Sequence, residues 1–199
     1  MEAALIVLPA SESGEDRATA IPTRDGYLVA VADGAGGTGG GAAAAERVIA
    51  ALSKLATRAA NVDWWSALLE LDEQLSVSGG QTTGVVAFTD GNRITGASVG
   101  DSAAWLISPG GEVTDLTAHQ RRRPLLGMGE ALPVQFEAEI EGGRLLLASD
   151  GLFKYSTAEQ ICSLAMQGSV EEAARALANC VRLPSGALPD DVAVIVVEG

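Results

Sequence analysis

Tyr27-Leu28-Val29-Ala30-Val31-Ala32-Asp33-Gly34-Ala35-Gly36-Gly37 is the stretch whose reading decides the fold. Residues 27–32 form an apolar run of the kind that makes a buried β-strand, and an Asp-Gly pair cuts it off. The pattern recurs at Arg144-Leu145-Leu146-Leu147-Ala148-Ser149, which ends in Asp150-Gly151. It appears once more with the acid leading, where Asp190-Asp191 opens Val192-Ala193-Val194-Ile195-Val196-Val197. A carboxylate at the tip of a hydrophobic strand sits where the sheet surfaces. Three such tips, distant in sequence, can converge at one end of a sheet, which is how a hard divalent cation is held.

Outward from these runs, alternation and short apolar segments between turn signals predict strands over 3–8, 16–21, 27–32, 82–90, 93–99, 102–108, 111–116, 134–140, 144–149 and 192–197. Asp90-Gly91-Asn92, Pro109-Gly110-Gly111 and Glu141-Gly142-Gly143 are short glycine-containing links that favour antiparallel hairpins. Helices are signalled in two pairs. The first is 41–60, with Val48, Ile49, Leu52 and Leu55 on one stripe, followed by 62–75, with Trp65, Leu68, Leu69, Leu71 and Leu75 apolar. The second is 157–166, with Thr157 as N-cap, then 169–181, with Ser169 as N-cap and Glu171-Glu172 in the positive first turn. Strands grouped with strands, and helices in hairpin pairs, predict an α+β chain of antiparallel sheets covered by helices rather than a βαβ alternation.

Composition narrows the function classes. With 199 residues, 47% of them hydrophobic, the chain is long enough for one domain with a substantial core, expected over residues 1–199. No apolar run approaches the ~20 residues that span a bilayer, and the first nine residues lack the basic start of a signal peptide, so a cytoplasmic protein is expected. A formal charge of −13 argues against nucleic acid and anionic membrane as partners, because both demand a basic face. Cys162 and Cys180 read as reduced core thiols, and two Cys with one His do not make a structural zinc site.

The glycine-dense segment 34–41 allows two readings. Gly34, Gly36 and Gly39 match the G-x-G-x-x-G dinucleotide fingerprint, but six of these eight residues are glycine, so some match is nearly guaranteed. No second strand ending in an acid lies about twenty residues on, and no Gly-Lys-Ser/Thr follows to make a P-loop. In the second reading Asp33 binds a cation, and the glycines let the backbone turn sharply and bring the Gly34 carbonyl toward it.

In that second reading, Asp33-Gly34-Ala35-Gly36-Gly37 resembles the D-G-x-G-G element of the metal-dependent serine/threonine protein phosphatases of type 2C. Further segments fall in that family's order. Gly14-Glu15-Asp16 resembles its N-E-D, Gly80-Gln81-Thr82-Thr83-Gly84-Val85-Val86-Ala87 its G-x-T-x-x-x-A strand, and Val99-Gly100-Asp101-Ser102-Ala103-Ala104-Trp105 its V-G-D-S-R-A-Y. Leu146 to Leu152 resembles L-L-x-S-D-G-L, and Pro189 to Val197 the closing D-N/D-x-T-V-I-V-V. The resemblance, to the compact bacterial kind, runs from about residue 14 to the C-terminus.

This resemblance implies a four-layer αββα sandwich, two mainly antiparallel sheets flanked by helix pairs, with two Mg²⁺ or Mn²⁺ ions in a cleft between the sheets. By motif, Asp33 is expected to bridge the ions, Gly34 to offer its carbonyl to one, and Asp150 and Asp190 to hold the other. Asp101 is expected to contribute to a third, weaker metal site, and Glu15 and Asp16 to orient water from behind the ligands. The implied chemistry is hydrolysis of phosphoserine or phosphothreonine by a metal-activated water, with Asp33, Asp150 and Asp190 as the catalytic acids. The partners implied are a phosphorylated protein substrate, with a serine/threonine kinase as its counterpart, and a monomeric enzyme is expected.

The chain departs from the family pattern at several positions. Ser11 stands where many members carry a phosphate-gripping Arg, Ala35 where eukaryotic members carry His, Ala103 where the family has Arg, and Lys154 where S-D-G-L-x-D has an acid. Arg17 and the run Arg121-Arg122-Arg123 are the candidates for a substitute phosphate-binding cation, while His119 is expected to pack or cap locally. The alternative is a catalytically weak or inactive relative that binds a phosphoprotein or signalling partner.

Overall fold

The computed structural model describes residues 1–36 and 39–199; Gly37, the last residue of the quoted D-G-x-G-G stretch, and Thr38 lie outside the described residues. Ten strands form. They are β1 (Glu2–Leu8), β2 (Arg17–Pro22), β3 (Tyr27–Ala32), β4 (Gly84–Thr89), β5 (Arg93–Val99), β6 (Ala103–Ile107), β7 (Val113–Asp115), β8 (Val134–Glu139), β9 (Arg144–Ala148) and β10 (Val192–Glu198). They build two five-stranded sheets, ordered β1-β10-β9-β6-β7 and β2-β3-β4-β5-β8, and every pairing is antiparallel. The sheets stack face to face around Val29, Val31, Val85, Ala104, Phe136, Leu145, Leu147 and Ile195. The other faces carry helices, α1 (Gly41–Ser53) and α2 (Trp64–Ser78) on the β3 sheet, α4 (Ala158–Ala165) and α5 (Val170–Cys180) on the β10 sheet, with α3 (Asp150–Phe153) at the tip of β9. This is the αββα sandwich, and because β3, β9 and β10 are covered on both faces they read as unbroken apolar runs.

Three local expectations are corrected. The helix predicted over 41–60 ends at Ser53, and 56–61 tightens into a 3-10 helix with Arg58 outside helical geometry, which turns the chain back into α2. The buried stripe of α2 starts at Trp64, not Trp65. Asp63 caps the helix by accepting from the Trp65 and Ser66 N–H groups, and this phase buries Trp64, Leu68, Leu71 and Leu75 while Trp65 stays 42% exposed. Glu141-Gly142-Gly143 is not a hairpin turn. β8 pairs with β5 and β9 with β6 and β10, so the link carries the chain from one sheet to the other. The physical reason is that Phe136 and Ile140 on one side of the link, and Leu145 and Leu147 on the other, all point into the space between the sheets. Strands sharing that core face each other instead of lying side by side.

The helix caps on the β10 side form as the residue types demand. Ser169 and Glu172 make a reciprocal capping box on α5, and Thr157 caps α4. Cys162 and Cys180 are free and half-buried. No helix among the described residues is long and apolar enough to cross a membrane.

Candidate functional site

Antiparallel pairing sets the site. β9 ends where β10 begins, with Val194 opposite Ala148, so Asp150 and Asp190 emerge at adjacent tips. Ser149 sews the tips together, donating its N–H to the Ala193 carbonyl (3.0 Å) and accepting the Ala193 N–H on Oγ (2.9 Å). β6 starts beside the same end, with Ala103 opposite Ala148, which brings Asp101 there. In the other sheet Asp33 leaves β3 next to the start of β4. Its N–H donates to Thr83 Oγ1 (2.9 Å), and its carbonyl accepts from Thr83 N–H (2.8 Å) and Thr82 Oγ1 (2.8 Å). Thr83 Oγ1 also lies 2.7 Å from Ser102 Oγ, which links the two sheet ends.

These tips border one cleft of about 260 Å³, lined among others by Glu15, Asp33, Gly34, Asp101, Asp150, Lys154 and Asp190, with Arg122 and Arg123 on its rim. Glycine is required where the backbone crowds. A Cβ on Gly34 would collide with the Gly41 backbone, and one on Gly36 with the Glu15 carboxylate. The loop bearing Glu15 is pinned by Asp191, whose carboxylate accepts the N–H groups of Ala10 (2.7 Å) and Glu15. The arginine loop is held by a two-way backbone bridge between Thr82 and Leu126. It is held also by the buried Asp72 of α2, which accepts the N–H groups of Gly127, Gly129 and Ala131 at 2.7–3.0 Å.

The cations are placed unequally. Lys154 Nζ sits 2.5 Å from Asp150 Oδ2 and 3.3 Å from Asp190 Oδ2. Arg122 Nε sits 2.7 Å from Asp101 Oδ2. Asp33, by contrast, has no hydrogen-bond donor or cation on its carboxylate among the described residues. Burial, with the charges of Asp16, Asp150, Asp101 and Asp190 around it, pushes the Asp33 carboxyl up to about 9. Asp16 lies just behind, 2% exposed with Oδ2 unpartnered. Burial, opposed by a hydrogen bond from Ser149 and reinforced by Asp191, Asp150 and Asp190, takes it to about 7. Asp150 is raised by burial but held back by Lys154. Among the described residues, no three His, Cys, Asp or Glu side chains are grouped so as to hold a metal ion as they stand.

Two candidates are not brought to the cleft. The Arg17 guanidinium is spent on the carbonyls of Gly14 (2.9 Å) and Asp16 (2.8 Å), and it lines a separate cavity with Pro9 and Asp191. Arg121 is exposed and outside the cleft lining, as is His119. Thr83 and Leu125 were not singled out as site residues from sequence, although the Thr82-Thr83 pair lay inside a recognised segment. The departure at Lys154 was legible, but not what its ammonium would touch.

No curated protein matches the chain by sequence. Solved structures do match in fold. A bacterial serine phosphatase superposes with a TM-score of 0.87 at 21% identity, covering 100% of this chain and 97% of that one. The serine/threonine phosphatase Stp1 from Staphylococcus aureus gives 0.85 at 21%, covering 100% and 95%. The catalytic domain of the Mycobacterium tuberculosis phosphatase PstP, solved with two manganese ions, gives 0.81 at 26%, covering 99% and 97%. The sequence model of the family described as Stage II sporulation protein E (SpoIIE) matches residues 23–199, which takes in every strand tip of the cleft. With most of its length inside that match and its whole length laid out as the type 2C-like sandwich of those phosphatases, the chain belongs to the SpoIIE family.

Proposed function

We propose that residues 1–199 form one phosphatase domain that hydrolyses phosphoserine or phosphothreonine in proteins with the help of a divalent cation. The observation that carries this reading is the convergence of Asp33, Asp101, Asp150, Asp190 and Glu15, from separate strand tips and a loop, into a single cleft. Buried carboxylates crowded without donors are costly unless a cation joins them. The fit differs across the cleft. At Asp33 the carboxylate carries no cation among the described residues and lies with Gly34 and Glu15 in the cleft lining, a setting that suits Mg²⁺ or Mn²⁺ held by oxygen ligands. At Asp150 and Asp190 a lysine already supplies the positive charge.

A divalent ion bound at Asp33 would supply charge to polarise the phosphoryl group and to lower the pKa of the attacking water. The chain's own residues do the rest. Glu15, in the cleft lining, is an acceptor able to orient water, and Asp16, buried beside Asp33 and outside that lining, acts on the Asp33 carboxyl through its charge. Arg122 and Arg123 on the rim face an incoming dianion across an otherwise acidic cleft, and a guanidinium there can grip phosphate with two parallel N–H donors. No nucleophilic side chain is needed. The net charge of −13 leaves nucleic acid and anionic membrane as poor partners.

The test is turnover of p-nitrophenyl phosphate and a phosphothreonine peptide with Mn²⁺ or Mg²⁺, with and without EDTA. Activity that needs the ion supports the reading, and turnover unchanged in excess EDTA overturns it. A second reading, an inactive module that binds a phosphoprotein, is favoured by the engagement of Asp101, Asp150 and Asp190 with internal cations. It predicts phosphopeptide binding without turnover under any divalent ion.

A further inference from the structure

Lys154 lies one helical turn after Asp150, and its backbone N–H donates to the Asp150 carbonyl (2.9 Å), so the short α3 delivers the ammonium onto the acid that begins the turn. The turn is anchored. Leu152 is fully buried, and Phe153 packs on Trp105 with ring centroids 4.8 Å apart. Asp190 is also oriented, because its Oδ1 accepts the Asp191 N–H (3.0 Å) and this leaves Oδ2 for the ammonium. The lysine thus bridges the carboxylates of two neighbouring strand tips. A metal between them would have to expel a like charge from a turn already fixed by packing. Among the described residues nothing comparable stands at Asp33.

We propose that the Lys154 ammonium is a built-in substitute for a divalent cation at the Asp150–Asp190 tips, so that the cleft takes one tightly held ion, at Asp33, rather than two. The inference rests on the metal-dependent reading of the cleft. It also bears on Asp101, the expected contributor to a further ion, since Arg122 covers it as Lys154 covers the other two acids.

The experiment counts bound Mn²⁺ by titration calorimetry and by the electron paramagnetic resonance of free Mn²⁺. It uses wild type, Lys154→Gln, Lys154→Asp, Asp33→Asn and the double variant Lys154→Asp/Asp190→Asn, with melting temperatures in chelator as a second readout. Wild type should bind one Mn²⁺, which Asp33→Asn loses. Lys154→Gln and Lys154→Asp should each bind a second, at least tenfold more tightly than any second ion in wild type, and Asp190→Asn should remove it again. In chelator, Lys154→Gln should melt below wild type and recover with Mn²⁺, because two carboxylates have lost their counter-charge. A wild type that binds two ions, with the same count and affinities in Lys154→Gln, overturns the proposal. If wild type binds none but Lys154→Asp binds one, the lysine excludes metal as proposed and the reading of the Asp33 end fails. Folded proteins that bind no Mn²⁺ in any variant overturn both.

Discussion

The two sides of the cleft handle the same chemical problem differently. At the tips of β9 and β10, two carboxylates meet a lysine from the helical turn that Asp150 begins, and the negative charge is largely answered within the chain. At the tip of β3, Asp33 is desolvated among four other aspartates with no cation of its own among the described residues. Each acid stands at the tip of a strand buried on both faces, Asp33 and Asp150 after theirs and Asp190 before its own, yet the electrostatics are opposite. Strand tips bring acids together because the sheets end there. Whether such a cluster calls for an outside ion depends on single side chains beside it, here Lys154.

The largest consequence concerns activity. Asp33→Asn should lower kcat by roughly two orders of magnitude or more, because it removes the carboxylate that has no substitute, and Asp150→Asn should lower it less. Steady-state kinetics at saturating Mn²⁺ decide this, and equal losses would break the contrast between the two sides.

Next comes pH dependence of the metal-free fold. Burial raises the Asp33 carboxyl to about 9 and Asp16 to about 7, both above the unfolded value of 3.8. A carboxyl raised in the folded state stabilises fully below its unfolded pKa, and that stability is lost as pH rises through the folded pKa. Chelator-treated protein should therefore melt at progressively lower temperature from about pH 4 to about pH 9, and Asp33→Asn should flatten the upper part of that slope. A melting temperature independent of pH across this window would show that the carboxylates are solvated after all.

Substrate binding should respond to the rim. Losing a charge-assisted phosphate contact costs about 1.5–3 kcal/mol, or roughly ten- to a hundredfold in affinity. Replacing Arg122 and Arg123 together by Ala should raise KM for a phosphopeptide toward that range with a smaller change in kcat. Arg122 alone should matter less, because its exposed pair with Asp101 is of the kind worth only about 0–1 kcal/mol. The smallest effect on catalysis belongs to Arg17→Ala. Its guanidinium is committed to the Gly14 and Asp16 carbonyls, so KM should stay within about twofold while stability falls by about 1 kcal/mol. A clear rise in KM for Arg17→Ala would place it in the substrate path.

Much of this was legible in the residues. The strands of the described residues fall where alternation and apolar runs predict them, and Thr157 and Ser169 cap their helices for reasons a short side chain carries with it, whereas the cap at Asp63 was not predicted. Two errors arose where local signals were satisfied by more than one arrangement. A glycine-rich link after an apolar strand suits a hairpin or a crossing between sheets equally well, and only the shared inner core of Phe136, Ile140, Leu145 and Leu147 chooses the crossing. Likewise Trp64 and Trp65 are adjacent and alike, and the phase set by Asp63 as N-cap selects which one is buried.

By itself the sequence determined which segments are strands, which acids stand at their tips and that helices would cover the sheets, because periodicity, capping and chain stiffness act over a few residues. Tertiary structure alone decided the sheet order, the convergence of those acids in one cleft, the withdrawal of Arg17 from it and the seating of Lys154 between Asp150 and Asp190. The reason is that electrostatic pairing depends on separations of a few ångströms between residues far apart in the chain, 36 positions for Lys154 and Asp190. No local pattern encodes such a distance, and only the packed sandwich sets it.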